Sequence, residues 1–144
     1  MVSFSLGLSE VEHVLVTVRN YERGVSGEYY DDNWVAVEVS VSAGAFSGQF
    51  NAAFLTKDFV QFHAALQSLY ETLKGEAVFS TLEEQLSLKV VGNGRGHIEV
   101  EGVALDQAGV GNELRFRFEL DQTYLLETIR GLNEVITAFP IRRA

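Results

Sequence analysis

The sequence predicts an α+β fold: an antiparallel β-sheet with two amphipathic helices packed against it, in the order β(n)-α-β(n)-α. Three observations lead there. Apolar and polar residues alternate in several segments, explicit turn clusters separate those segments, and two stretches replace the alternation by helical spacing. The 144 residues, 47% hydrophobic and 22% charged, suit one domain spanning 1–144. A domain of this size hides roughly 68–70% of the surface its unfolded chain exposes, so its core needs no disulfide or metal.

The clearest strand has Val35, Val37, Val39 and Val41 on one face and Ala36, Glu38, Ser40 and Ser42 on the other. SAGAFSG (Ser42 to Gly48) follows as a hairpin turn. The first helix is expected from Thr56, its N-cap, to Gly75, with Phe59, Phe62, Leu66, Leu69 and Leu73 on one stripe. Leu86, Leu88 and Val90 then alternate with Ser87 and Lys89. VGNGRG (Val91 to Gly96) is the next turn, its Asn93-Gly94 pair suited to type I′ geometry. From Ile98 to Leu105 the apolar parity changes around Gly102, which predicts a bulge there. QAGVGN (Gln107 to Asn112) leads into a strand with Leu114, Phe116, Phe118 and Leu120 opposite Arg115, Arg117 and Glu119. The second helix is expected from Asp121 or Thr123 to Pro140, with Leu125, Ile129, Leu132 and Ile136 inward. Gly131 weakens it by about 1 kcal/mol if exposed. Each half thus ends in a helix introduced by a phenylalanine-rich strand.

Charge narrows the partner. The net charge of −9 argues against nucleic acid and anionic membranes, which reward clustered Lys and Arg, and points to a basic protein partner. Seven acids against two bases fall in residues 1–54, eight against four in 55–110 and five against five in 111–144. The absence of cysteine excludes thiolate zinc sites and thiol catalysis. No secretory signal or span of ~20 apolar residues is visible, so a cytoplasmic location is expected.

The search for chemistry yields no catalytic residue, metal site or cofactor. His13, His63 and His97 lie in no ligand-spaced motif. GNGRG leads into a strand and not the helix a phosphate loop requires, and the serine of GAFSG stands one position late for a nucleophile elbow. Glu99 and Glu101 share the outward parity of one strand, and Arg115 and Arg117 that of the next, as cross-strand ion pairs would. The stretch YYDDNW, from Tyr29 to Trp34, is different because it joins aromatic anchors to carboxylates. Two readings stay open for it. Glu28, Tyr29, Tyr30, Asp31 and Asp32 make a partner-binding surface, or the segment is a turn whose Trp34 plugs the core.

From Tyr29 to Pro140 the chain resembles the small bacterial proteins of the WapI-like immunity family. The resemblance rests on DDNW, the GAFSG turn, the helix end LYETLKGEA, GNGRGHIEVEG and LDQTYL. It implies a cytosolic, non-enzymatic protein that binds the toxic C-terminal domain of a contact-dependent inhibition protein. Toxins associated with WapI-like proteins attack transfer RNA. The alternative is a protein- or ligand-binding module of another role, with an enzyme third.

Overall fold

Alternation becomes strand and helical spacing becomes helix throughout the computed structural model, which describes residues 1–143 and, within them, all side chains except those of Leu8 and Ser9. The first half comprises β1 (Val2–Ser9), β2 (Glu12–Tyr21), a short helix α1 (Tyr29–Asn33), β3 (Trp34–Ala43), β4 (Phe46–Leu55) and α2 (Thr56–Thr72). The second comprises β5 (Lys74–Phe79), β6 (Leu86–Asn93), β7 (His97–Leu105), β8 (Glu113–Asp121), a 3-10 turn over Gln122–Tyr124 and α3 (Leu125–Ala138). The α+β class and the strand–helix order are as expected, with α1 as an addition and the strands divided into two sheets. Both sheets are antiparallel meanders, ordered β1-β2-β3-β4 and β5-β6-β7-β8.

One core joins the halves. Val35, Val37, Val39 and Val41 are 0–1% exposed, and burial of such a side chain contributes roughly 1.5–3 kcal/mol. Phe4 of β1, Phe54 of β4, Phe59 and Phe62 of α2 and Phe79 of β5 meet with ring centroids 5.2 to 6.2 Å apart, the spacing of favourable aromatic pairs. Leu125, Leu132 and Val135 of α3 belong to the same cluster. Helix α2 lies against β5, α3 against β1, and the two helices touch. Each helix therefore covers the first strand of the opposite half.

Several local expectations change. The side chain of Thr56 does not cap α2; it donates to Asn33 Oδ1 at 2.7 Å, while Asp58 Oδ2 accepts from the Leu55 N–H at 2.9 Å. The helix stops at Thr72, short of Gly75, because Leu73 turns left-handed with φ 62°. The N–H of Gly94 then satisfies the Leu73 carbonyl at 2.7 Å. Asn93 lacks the positive φ of a type I′ position. Its Oδ1 instead accepts from the Arg95 and His97 amides across a three-residue connection. The second helix starts later than expected: Asp121 Oδ1 caps the 3-10 turn through the Thr123 N–H at 3.0 Å, and α3 follows.

No bulge occurs at Gly102. Strand β7 pairs without a shift with both neighbours, keeping Ile98, Val100, Gly102 and Ala104 inward and Val103 and Leu105 outward. The Phe116 ring fills the space beside Gly102, where a Cβ would stand 2.2 Å from its Cζ. The apolar parity had changed because two aliphatic residues face out. Gly131 is likewise no exposed weakness: a Cβ there would lie 2.7 Å from the Ser3 carbonyl and 2.8 Å from Phe4 Cα.

Candidate partner-binding site

The segment Glu28 to Trp34 divides between surface and interior. Glu28 is exposed and precedes α1, its carbonyl accepting from the Asp32 N–H at 2.9 Å. Tyr29 and Tyr30 stand edge to face with centroids 5.5 Å apart, Tyr29 half-buried and Tyr30 48% exposed. Lys57 Nζ approaches the Tyr30 ring at 5.8 Å. Asp31 pairs with Arg23 at 3.1 Å, both side chains about half exposed.

Asp32 is turned away from the surface. It is 3% exposed, and its carboxylate accepts from the Ser26 amide, the Ser26 hydroxyl and the Gly27 amide at 2.7 to 2.9 Å. The Ser26 amide bond is the main force holding its pKa below the usual value, against the opposing effect of burial. Asp32 therefore fixes the Ser26–Gly27 loop onto α1. Trp34 does not plug the core either. It shares the outer parity of β3 with Ala36 and Glu38 and stays half-buried. Of the five candidate residues, Glu28, Tyr29, Tyr30 and Asp31 reach the surface and Asp32 supports them from below.

Asn33, which the sequence treated only as a turn former, organises this end of the molecule. Fully buried, its amide nitrogen donates to the carbonyls of Tyr29 and Arg142, and its oxygen accepts from the Thr56 hydroxyl and the Arg142 N–H. All four of its amide bonds are thereby satisfied. The tail is held further by Tyr21, whose hydroxyl donates to the Pro140 carbonyl at 2.5 Å. The Arg142 guanidinium lies 3.4 Å from the centroid of the same ring. No local sequence signal links residues 109 positions apart, so this clasp was invisible in the chain.

Elsewhere the polar groups form structural pairs. Arg117 bonds Glu99, diagonal to its directly facing residue Glu101, and Arg115 turns to Glu113 on its own strand at 3.0 Å. Glu101, Arg115 and Arg117, with Lys89, Val78 and Val103, line an open hollow of about 520 Å³ on the outer face of the second sheet. Its cations are already matched by rim carboxylates, Lys89 by Glu76 at 3.6 Å, so it reads as a charge ladder. His97 lies 3.4 Å from Glu119. Among the described residues no three His, Asp or Glu side chains are gathered as a metal site, and no helix is long and apolar enough to cross a membrane.

The profile of the Immunity protein WapI-like family matches residues 6–140. The chain belongs to that family. No curated protein matches it by sequence. Among solved structures it is similar to a chain from the crystal structures of Trypanosoma bruciei MRP1/MRP2. The two are 12% identical, with a TM-score of 0.48, over 94% of this chain and 84% of that one.

Proposed function

We propose that this protein is a non-catalytic immunity protein that captures a basic toxin domain, the C-terminal domain of a contact-dependent inhibition protein, in the cytoplasm of the producing cell. Membership of the immunity family carries the reading. The net charge of −9 supports it. A nuclease toxin needs positive charge to hold RNA, and complementary potentials accelerate encounter by roughly 10–10³-fold. Glu28, Tyr29, Tyr30 and Asp31 supply the contact: an exposed carboxylate, two aromatic rings and a carboxylate whose pairing with Arg23 is solvent-exposed and so costs at most about 1 kcal/mol to exchange.

The test is titration of the purified chain against a candidate cognate toxin domain, at low and high salt. A one-to-one complex that silences the toxin is expected, forming more slowly as salt rises. Asp31→Asn and Tyr30→Ala should weaken capture about tenfold or less each while the melting temperature holds. Toxin that stays unbound and active would reject the function. Tight binding indifferent to salt would reject the electrostatic account of it.

A further inference from the structure

Four strands lie at sheet edges: β1 and β4 in the first sheet, β5 and β8 in the second. An edge exposes unpaired backbone groups, and folded proteins blunt it with charges, prolines, bulges, short length or a covering element. Three of the four edges carry such a device. Strand β1 has a register shift between Leu6 and Ser9 and lies against α3. Strand β5 is six residues long, bears Lys74 and Glu76, and lies against α2. Strand β8 alternates Glu113, Arg115, Arg117, Glu119 and Asp121 along its exposed side. Strand β4, FSGQFNAAFL, has none: ten residues without a charge or a proline, paired in unbroken register with β3.

The phase of the β3–β4 ladder shows which backbone groups are open. Trp34 faces Leu55 in the register, yet the Leu55 N–H donates to Asp58 Oδ2 and the Trp34 carbonyl accepts from the Glu22 N–H. That pair is therefore not hydrogen-bonded to itself. Antiparallel pairs alternate between bonded and non-bonded, so the pairs at Ala53, Asn51, Gln49 and Ser47 share its phase. The N–H and C=O groups of these four residues point away from β3.

The side chains fit an incoming strand. Phe46 is 67% exposed and Phe50 half-buried. With Val41, Ala104 and Leu114 they line a cleft of about 230 Å³ between the two sheets, at which Asp106, bonded to Asn112, and Glu113, in an exposed pair with Arg115, add carboxylates. The other end of β4 runs to the α1 surface, since Leu55 pairs with Trp34 and Lys57 meets Tyr30. We propose that the outer edge of β4 is a strand-addition site that takes an extended segment of the toxin domain, alternating cationic and apolar residues, as a fifth strand of the first sheet. This rests on the immunity reading. A second copy of the chain fits less well, since it brings another −9 of charge to the contact. Backbone pairing supplies affinity, and the Phe46–Phe50 cleft and its acidic groups select the side chains.

Amide hydrogen exchange of the full chain, alone and with the candidate cognate toxin domain, provides the test. Slowed exchange at Ser47, Gln49, Asn51 and Ala53 on complex formation is expected. In parallel, Gln49→Pro deletes one outward donor without touching a β3–β4 bond, at a place where an edge strand tolerates proline, and Gln49→Ala keeps the donor. The proline variant should bind about tenfold more weakly, the equivalent of one or two hydrogen bonds, and the alanine variant as the parent does. Should Gln49→Pro fold poorly, the exchange pattern of the parent decides alone. A complex that leaves those amides unprotected overturns the edge proposal and spares the immunity reading. Self-association of the chain through β4 overturns the chosen occupant. A toxin domain that does not bind overturns both.

Discussion

Asp58 and Asp32 are both buried aspartates at the ends of helices, and their surroundings move them in opposite directions. Burial pushes Asp58 up from 3.8 to about 6, against the Leu55 amide and the Lys57 charge. Between pH 3.8 and about 6 the folded chain holds that proton and the unfolded chain does not. Its contribution to stability is therefore full below the unfolded value and lost as pH rises through that window, with a slope of at most about 1.4 kcal/mol per pH unit. Urea midpoints measured from pH 4 to 7 should show this decline, and Asp58→Asn should flatten it. A depressed group such as Asp32 has the opposite sign: its stabilisation is present above the ordinary carboxylate value and lost as acid protonates it. Part of this was legible in the chain. The alternation of Val35 to Val41 already places Trp34 on the outer face with Ala36, a parity that its size as a core candidate obscured. The burial of Asp32 was not legible, because its partners Ser26 and Gly27 belong to a loop with no periodic pattern.

At the scale of elements, glycines mark the places where packing overrides propensity. In an isolated helix Gly131→Ala would gain about 1 kcal/mol. In α3 the added methyl meets the β1 backbone at Ser3 and Phe4, and forcing atoms into a packed contact costs typically 1–3 kcal/mol. Gly131→Ala is therefore expected to destabilise by about 1–2 kcal/mol, seen as a lower thermal midpoint with helix content retained. An increase in stability would show that α3 can move off β1 freely. Gly102 follows the same logic, since the Phe116 ring occupies the volume a side chain would need. Helix and strand spacing was legible along the chain because each face repeats over many residues. These contacts were not, since each depends on one atom approaching from a distant segment.

For the whole molecule, the continuity of the core sets how it unfolds. The five-phenylalanine cluster draws on both sheets and α2, and α3 spans back to β1, so neither half keeps its core when the other leaves. Trp34 is the only tryptophan and reports on the first sheet. Its fluorescence and the far-ultraviolet circular dichroism should lose signal at one denaturant midpoint, as two-state unfolding requires. Separated midpoints would show two independently stable halves. The sequence by itself determined the α+β class, the alternation of strand groups with two long helices, three of the hairpin turns, the acidity and the family, because periodicity, turn chemistry and charge are properties of neighbouring residues. Only the tertiary structure decided that the strands form two sheets, that each helix covers the opposite half, and that Asn33 ties α1 to α2 and the tail. It also decided that β4 is left as a bare edge. Those features come from contacts between residues far apart in the chain, where the close packing of one core chooses among arrangements that local pattern leaves equal.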